Sequence, residues 1–233
     1  MQNNINDIND ILTYDTQWSE SIYKEIFLDK EYEYENIKVE ENDIVLDLGA
    51  NIGIFSLYAE SKKSKHIYSF EPIKEYYEML KENLKNYKNI QFFNSAISYK
   101  TGKSKIVRNF DNNTILTEVY DQFGIKNENK TEIDTLSIND FIDNIEKIDF
   151  MKLDIEGSEY DIFENITNYN LNKISKIVCE YHWNYENRLD KTIKILNANG
   201  FKVYTFTTNN FNKIGKLFAL KMENATCKGK IKI

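Results

Sequence analysis

The chain has 233 residues, 41% of them hydrophobic, and a formal net charge of −7 at pH 7. This composition suits an α/β domain with a substantial core, while the acidic balance and the lack of a long basic run argue against a nucleic-acid partner. No apolar run reaches the roughly 20 residues a membrane span needs, and the polar start M-Q-N-N-I-N-D-I-N-D is no secretory signal, so a cytoplasmic location is expected.

Residues 1–40 are mostly polar, with one amphipathic stretch around Trp18, Ile22, Ile26 and Phe27 whose helical spacing predicts an N-terminal helix packing on a domain over 41–233 or covering its open edge. Strand and helix then alternate. Ile44–Leu48 reads as a buried strand and 52–61 as a helix. His66–Phe70 is a second strand, 74–86 a helix with Tyr76, Tyr77, Leu80 and Leu84 on one side, and Ile90–Phe93 a third strand. Residues 108 to about 131 are polar and show no period; they are read as an insertion serving as a lid, a substrate loop or a surface excursion. Ile148–Leu153 is a strand, 158–166 a helix and Ile174–Tyr181 a strand. The helix at 188–199 is closed by Gly200 in a C-cap position. Residues 201–207 and 216–222 are strands joined by a polar turn with no helix between them. The expected fold is Rossmann-like: a seven-stranded, mostly parallel sheet with helices on both faces and a C-terminal antiparallel hairpin. Cys179 and Cys227 are too few for a disulfide framework, and Cys179 fits its strand as a small hydrophobe.

Three clusters carry chemistry. The first is I-V-L-D-L-G-A-N-I-G-I-F-S, residues 44–56: a strand containing Asp47, a turn flanked by Gly49 and Gly53 through Ala50 and Asn51, and a helix. Such a turn brings backbone against a nucleotide-like cofactor at the C-terminal edge of a parallel sheet. Glu71, directly after the second strand, is placed to accept both ribose hydroxyls of a bound nucleoside, or to cap the next helix with Pro72 in its first turn. Ser95 and Ala96 are small enough to admit a flat base beyond strand three. The second cluster is M-K-L-D-I-E-G-S-E, residues 151–159. Period two puts Lys152 and Asp154 on one side of the strand, Lys152 needs an acidic partner such as Asp154 or Glu156, and Gly157 permits a sharp turn. The third is C-E-Y-H-W, residues 179–183, where Glu180 and His182 come to the edge at which open α/β sheets bind ligands. Asp154, Glu180 and His182 together offer oxygen and imidazole ligands of the kind that suit Mg²⁺ or Mn²⁺, although two of the three have plain metal-free roles.

On these residues the chain resembles the FkbM-type methyltransferases, within the Rossmann-like S-adenosylmethionine-dependent enzymes. The matching pieces are D-L-G-A-N-I-G-I-F-S (47–56), F-E-P (70–72), N-S-A-I-S (94–98), I-D-T-L-S (133–137), F-M-K-L-D-I-E-G-S-E (150–159) and E-Y-H (180–182), in the family's order. Where the family has I-D-T-L-D this chain ends in Ser137, read as a tolerated change of helix cap. The resemblance implies S-adenosylmethionine as cofactor, with the Asp47–Gly53 loop at its methionine end, Glu71 at the ribose and Ser95–Ala96 around the adenine. It also implies O-methylation of a hydroxyl on a sugar, glycan or small metabolite. In-line methyl transfer chiefly needs alignment, and a hydroxyl gains from a nearby base. His182 is the expected base, oriented by Glu180 or Asp154, with Asp154 also bordering the cofactor and Trp183, Tyr181 and Tyr185 as faces for a sugar ring. An NAD-dependent oxidoreductase would share the turn and the ribose acid, but its loop reads G-x-G-x-x-G rather than G-x-N-x-G. A cofactor-binding module without catalysis is the other alternative.

Overall fold

The structure, a computed structural model, describes residues 16–108, 114–116, 130–182, 187–209 and 214–222. The expectations placed on Trp183, Tyr185, Cys227 and the bulk of the 108–131 stretch lie outside the described residues, as does the side chain of Trp18.

The chain begins with α1 (Thr16–Tyr23), continued by a π-helical turn over Lys24–Leu28. The main sheet is built from β1 (Ile44–Leu48), β2 (His66–Phe70), β3 (Ile90–Phe93), β8 (Ile148–Leu153), β9 (Ile174–Tyr181), β10 (Phe201–Asn209) and β11 (Ile214–Lys221). Its order is β10-β11-β9-β8-β1-β2-β3. The strands from β9 to β3 run parallel, whereas β11 pairs antiparallel with both β9 and β10. This is the seven-stranded Rossmann-like sheet with the terminal hairpin that the pattern of strands and helices predicts. The helices are α2 (Ile54–Ser61), α3 (Lys74–Leu84), α4 (Ile138–Asp143), α5 (Glu159–Asn165), α6 (Asn168–Leu171) and α7 (Arg188–Ala198). α2 starts two residues later than its periodicity suggests, because Asn51 and Gly53 hold φ of +52° and +97° and prolong the turn.

Central strands covered on both faces carry near-continuous apolar runs. Val45, Leu46 and Leu48 in β1 and Phe150, Met151 and Leu153 in β8 are accordingly fully buried, on the two sides of the sheet. From β1 the chain winds outward through β2 to β3, and later returns to the other side of β1 to lay down β8 and β9. The direction of winding therefore reverses between β1 and β8, which opens a crevice at their C-terminal ends.

A second, four-stranded sheet was not expected. It comprises β4 (Ala96–Ser98), β5 (Gly102–Arg108), β6 (Thr114–Leu116) and β7 (Lys130–Ser137), in the order β4-β7-β5-β6. Ile106 of β5 and Ile133 of β7 pack on Ile73 at the start of α3. Ser137 caps α4, its hydroxyl accepting from Asp140 N at 3.3 Å, as read for the position where the family has Asp. The N-terminal segment packs on α2: Phe27 meets Tyr58 edge-on at 5.4 Å between ring centroids, and Tyr32 meets Phe55 at 5.3 Å.

Candidate active site

The loop after β1 is shaped by the protein around it. Gly49 N and Ala50 N both donate to Phe70 O, at 3.1 and 2.8 Å, tying the turn to the end of β2. Gly49 holds φ +80°, and a Cβ there would overlap the backbone carbonyl of Asp154. Gly53, at φ +97°, has Leu80 and Leu84 of α3 against the space a Cβ would fill, 2.7 and 2.9 Å from it. Both glycines thus let β1, β8 and α3 approach the loop closely.

Beneath the loop lies a buried ionic network. Asp47 Oδ2 accepts from Ser56 Oγ at 2.6 Å, Ser56 Oγ lies 2.7 Å from Ser69 Oγ, and Asp47 Oδ1 is 3.3 Å from Lys152 Nζ. Lys152 Nζ also donates to Gly49 O at 2.6 Å and sits 3.8 Å from Asp154 Oδ2. This is the partnering an ammonium in an apolar strand requires. Burial alone would lower the pKa of Lys152, but Asp47 and Asp154 outweigh it and hold the group above its ordinary value, and so charged.

Glu71 does not cap α3, which starts at Lys74 with Ile73 as its N-cap residue, so Pro72 also precedes the helix. Its Oε1 instead closes the turn before the helix by accepting from Ile73 N at 2.8 Å, and its Oε2 accepts from Asn51 N at 2.9 Å, across to the glycine loop. Burial pushes its pKa up to about 7, against the opposing pull of those two N–H groups and of Lys152. Asn51 Oδ1 beside it is buried and has no hydrogen-bond partner among the described residues.

At the ends of β8 and β9 the groups are acidic. Tyr32, from the N-terminal segment, donates its hydroxyl to Asp154 Oδ2 at 2.9 Å. Burial raises the pKa of Asp154, but Lys152, His182 and the Tyr32 hydrogen bond together leave it below the usual carboxylate range. Glu180 is raised by burial and by Asp154, with Lys216 at 3.6 Å opposing. His182 places Nδ1 2.9 Å from Glu159 Oε1 and Nε2 3.4 Å from Glu156 Oε2. Glu159 is fully buried and also accepts from Gly157 N at 2.9 and 3.1 Å. Burial lowers the pKa of the imidazole, but Glu159, Glu156 and Asp154 prevail and bring it to about 10.

These groups surround a cavity of about 300 Å³. Of the residues singled out by sequence, Gly49, Ala50, Asn51, Glu71, Ala96, Asp154 and Glu180 line it, while Asp47, Gly53, Ser95 and His182 do not. Asp47 reaches the wall only through Lys152, Gly53 faces α3, Ser95 stands one residue outside the wall formed by Ala96, and His182 lies 6% exposed behind Glu156. The imidazole's hydrogen-bond partner is Glu159, rather than the Glu180 or Asp154 proposed from strand spacing. Tyr32 and Ile106 also line the cavity and carry no sequence signal of doing so, and Ile133, the first residue of the I-D-T-L-S match, joins them. The E-G-S-E run did hold a clue to Glu156 and Glu159, since a turn at Gly157 doubles the chain back towards the end of β9.

The arrangement fits S-adenosylmethionine. An unpaired buried amide oxygen at Asn51 meets a cavity with a carboxylate after β2, an apolar wall of Ile73, Ile106 and Ile133, and an acidic end at β8 and β9. The family comparison agrees. The Methyltransferase FkbM domain family matches residues 47–203. The chain is 22% identical over 213 residues to 31-O-demethyl-FK506 methyltransferase FkbM of Streptomyces tacrolimicus, covering 78% of this chain and 81% of that one. It is 25% identical over 227 residues to AMB antimetabolite synthetase AmbE of Pseudomonas aeruginosa, a match that takes in 79% of this chain and spans 11% of that much longer protein. Fibrillarin of Aeropyrum pernix, solved with S-adenosyl-L-methionine, superposes with a TM-score of 0.48 at 11% identity, covering 82% of this chain and 71% of fibrillarin. The chain belongs to the FkbM family of S-adenosylmethionine-dependent methyltransferases.

Proposed function

We propose that the protein methylates a hydroxyl oxygen of a sugar, a glycan or a small polyhydroxylated metabolite. The observation that carries this reading is the polarity of the cavity across the sheet. Glu71, after β2, and Glu180, near the end of β9, stand three strand spacings apart, about 14 Å. The span accommodates a nucleoside at one side and an acceptor at the other. The Streptomyces tacrolimicus relative is a methyltransferase of 31-O-demethyl-FK506, and this supports an oxygen acceptor.

The cofactor supplies an electrophilic methyl group on a sulfonium, which is a good leaving group. The chain's own residues supply alignment. With the cofactor bound, Asn51 would accept from its methionine end through the buried Oδ1, Glu71 would accept from the ribose hydroxyls, and Ile73, Ala96, Ile106 and Ile133 would flank the base. Asp154, kept ionised by Lys152 and Tyr32, fixes negative charge close to the transferring centre. Glu180 receives the acceptor's proton. Sequence spacing favoured His182 for that step, but its ring is outside the cavity wall and already holds its proton at neutral pH, whereas Glu180 lines the wall.

Two measurements test this. S-adenosylhomocysteine should bind in a calorimetric titration and NAD⁺ should not; the reverse would sink the methyltransferase reading. With a panel of sugars, oligosaccharides and hydroxylated metabolites and a labelled methyl donor, Glu180→Gln should lower kcat by about 10²–10⁴-fold with little change in KM for the donor. Unchanged kcat would return the proton to another group.

A further inference from the structure

We propose that Asp154, Glu156 and His182 form a binding site for one divalent cation of the Mg²⁺/Mn²⁺ class, at the acceptor end of the cavity; its part in methyl transfer rests on the reading above. One carboxylate oxygen from each acid and one ring nitrogen lie within 4.8 Å of one another. Asp154 and Glu156 also line the cavity, so a cation between them would be reachable from it. The set differs from the Asp154–Glu180–His182 group suggested by strand spacing. Glu180 is drawn to Lys216, while the turn at Gly157 brings Glu156 over the imidazole.

The observation that points to a cation lies on the far side of the ring. Glu159 is fully buried, is fixed by two contacts from Gly157 N, and sits 2.9 Å from Nδ1. A cation that displaces the Nε2 proton of the imidazolium leaves the Nδ1 proton on Glu159 and meets the Nε2 lone pair, which faces Glu156. Two carboxylates and a nitrogen lone pair then converge on one point. Lys152, 3.8 Å from Asp154 Oδ2, is already engaged by Asp47 and the Gly49 carbonyl. A buried carboxylate behind a histidine is the usual outer support of an imidazole that ligates a metal, fixing its tautomer and orientation. Two hard oxygens and one imidazole, with the remaining positions open to water or a hydroxyl, suit Mg²⁺ or Mn²⁺ and offer no thiolate for softer metals. A cation in this position polarises an oxygen that approaches it.

The test is a titration of the full chain with MnCl₂, followed by the electron paramagnetic resonance signal of free Mn²⁺, with Mg²⁺ as competitor. We expect saturable binding of one Mn²⁺ per chain. Glu156→Gln, at a partly exposed side chain and so safe for folding, should weaken it at least tenfold. Glu159→Gln, which takes the charge from behind the ring while its remaining oxygen can still accept from Gly157 N, should weaken it by about 10–100-fold. Circular dichroism melts verify that both variants are folded. An absence of saturable binding, or an unchanged affinity in Glu156→Gln, would overturn the site and leave His182 as an imidazolium bridging Glu156 and Glu159. S-adenosylhomocysteine titrated into the unsubstituted chain separates the two proposals: its binding without Mn²⁺ binding defeats the cation site alone.

Discussion

Glu71 has a pKa near 7 because burial disfavours its charge while two backbone N–H groups and Lys152 favour it. A ribose offers hydroxyl donors, and donors prefer the carboxylate to the carboxylic acid. Affinity for S-adenosylhomocysteine should therefore rise as pH passes upward through 7, by roughly tenfold between pH 6 and pH 8, following the ionised fraction. Its contribution to folding has the opposite sign. A pKa raised from 4.5 to about 7 means that ionisation costs more in the folded chain, so this group's share of stability falls as pH climbs from 4.5 through 7. Glu71→Gln should remove the pH dependence of binding, since its amide does not titrate in this range. The same change sets an NH₂ group against the N–H of Asn51 or Ile73 and leaves a buried donor unpaired, at a cost of about 1–3 kcal/mol. Calorimetric titrations at several pH values check the first outcome and denaturant melts the second. A pH-independent affinity in the unsubstituted chain would remove Glu71 from the ribose site.

At the scale of elements, the glycine loop and the second sheet differ in how much the sequence could disclose. In the loop, Gly49 meets rigid backbone at Asp154, whereas Gly53 meets the flexible ends of Leu80 and Leu84, and both positions have positive φ. Gly53→Ala should cost about 1–3 kcal/mol, from backbone strain and overpacking that the two leucines partly absorb. Gly49→Ala should cost more, because the Asp154 carbonyl moves only if β8 does. A chemical melt of each variant decides the order, and equal losses would show strain alone to be at work. The strands and helices of the main sheet were legible because central parallel strands such as I-V-L-D-L carry long apolar runs between turn signals. The second sheet was not. β7 reads K-T-E-I-D-T-L-S, and it exposes Lys130, Thr131, Glu132 and Asp134 while burying Ile133, Thr135 and Ser137, so few apolar residues mark it. Its partner β5 contributes Ile106 to the same small apolar cluster. A thin sheet with a narrow apolar face resembles a polar loop in composition, although it supplies the cavity wall that flanks Ile73.

At the scale of the whole molecule, the site is assembled from segments far apart in the chain, and spacing within one segment cannot reveal that. Tyr32 is the sharpest case: it lies 122 residues from Asp154, yet its hydroxyl holds that carboxylate at 2.9 Å. Its ring is buried beneath Lys216, whose Nζ lies 4.3 Å from the ring centroid, and against Phe55 of α2. Lys216 is in turn paired with Glu31 at 2.5 Å, so the hairpin strand β11 and the N-terminal segment are linked beside Tyr32. Ile22, Glu25 and Ile26 of that segment also line the cavity, so the segment forms part of its wall. A ligand filling the cavity gains contacts with residues from both the sheet edge and this segment, and binding then stabilises whatever opening would separate them. Hydrogen exchange should show this directly. Peptides covering residues 16–40 should become more protected when S-adenosylhomocysteine is added, together with those covering the Asp47–Gly53 loop, while α6, none of whose residues lines the cavity, should change little. Tyr32→Phe should diminish the extra protection in 16–40, because it removes the hydrogen bond that ties the segment to Asp154 but keeps the ring packed on Phe55. If protection rises only in the loop, the N-terminal segment is a support for α2 and has no share in enclosing the cofactor.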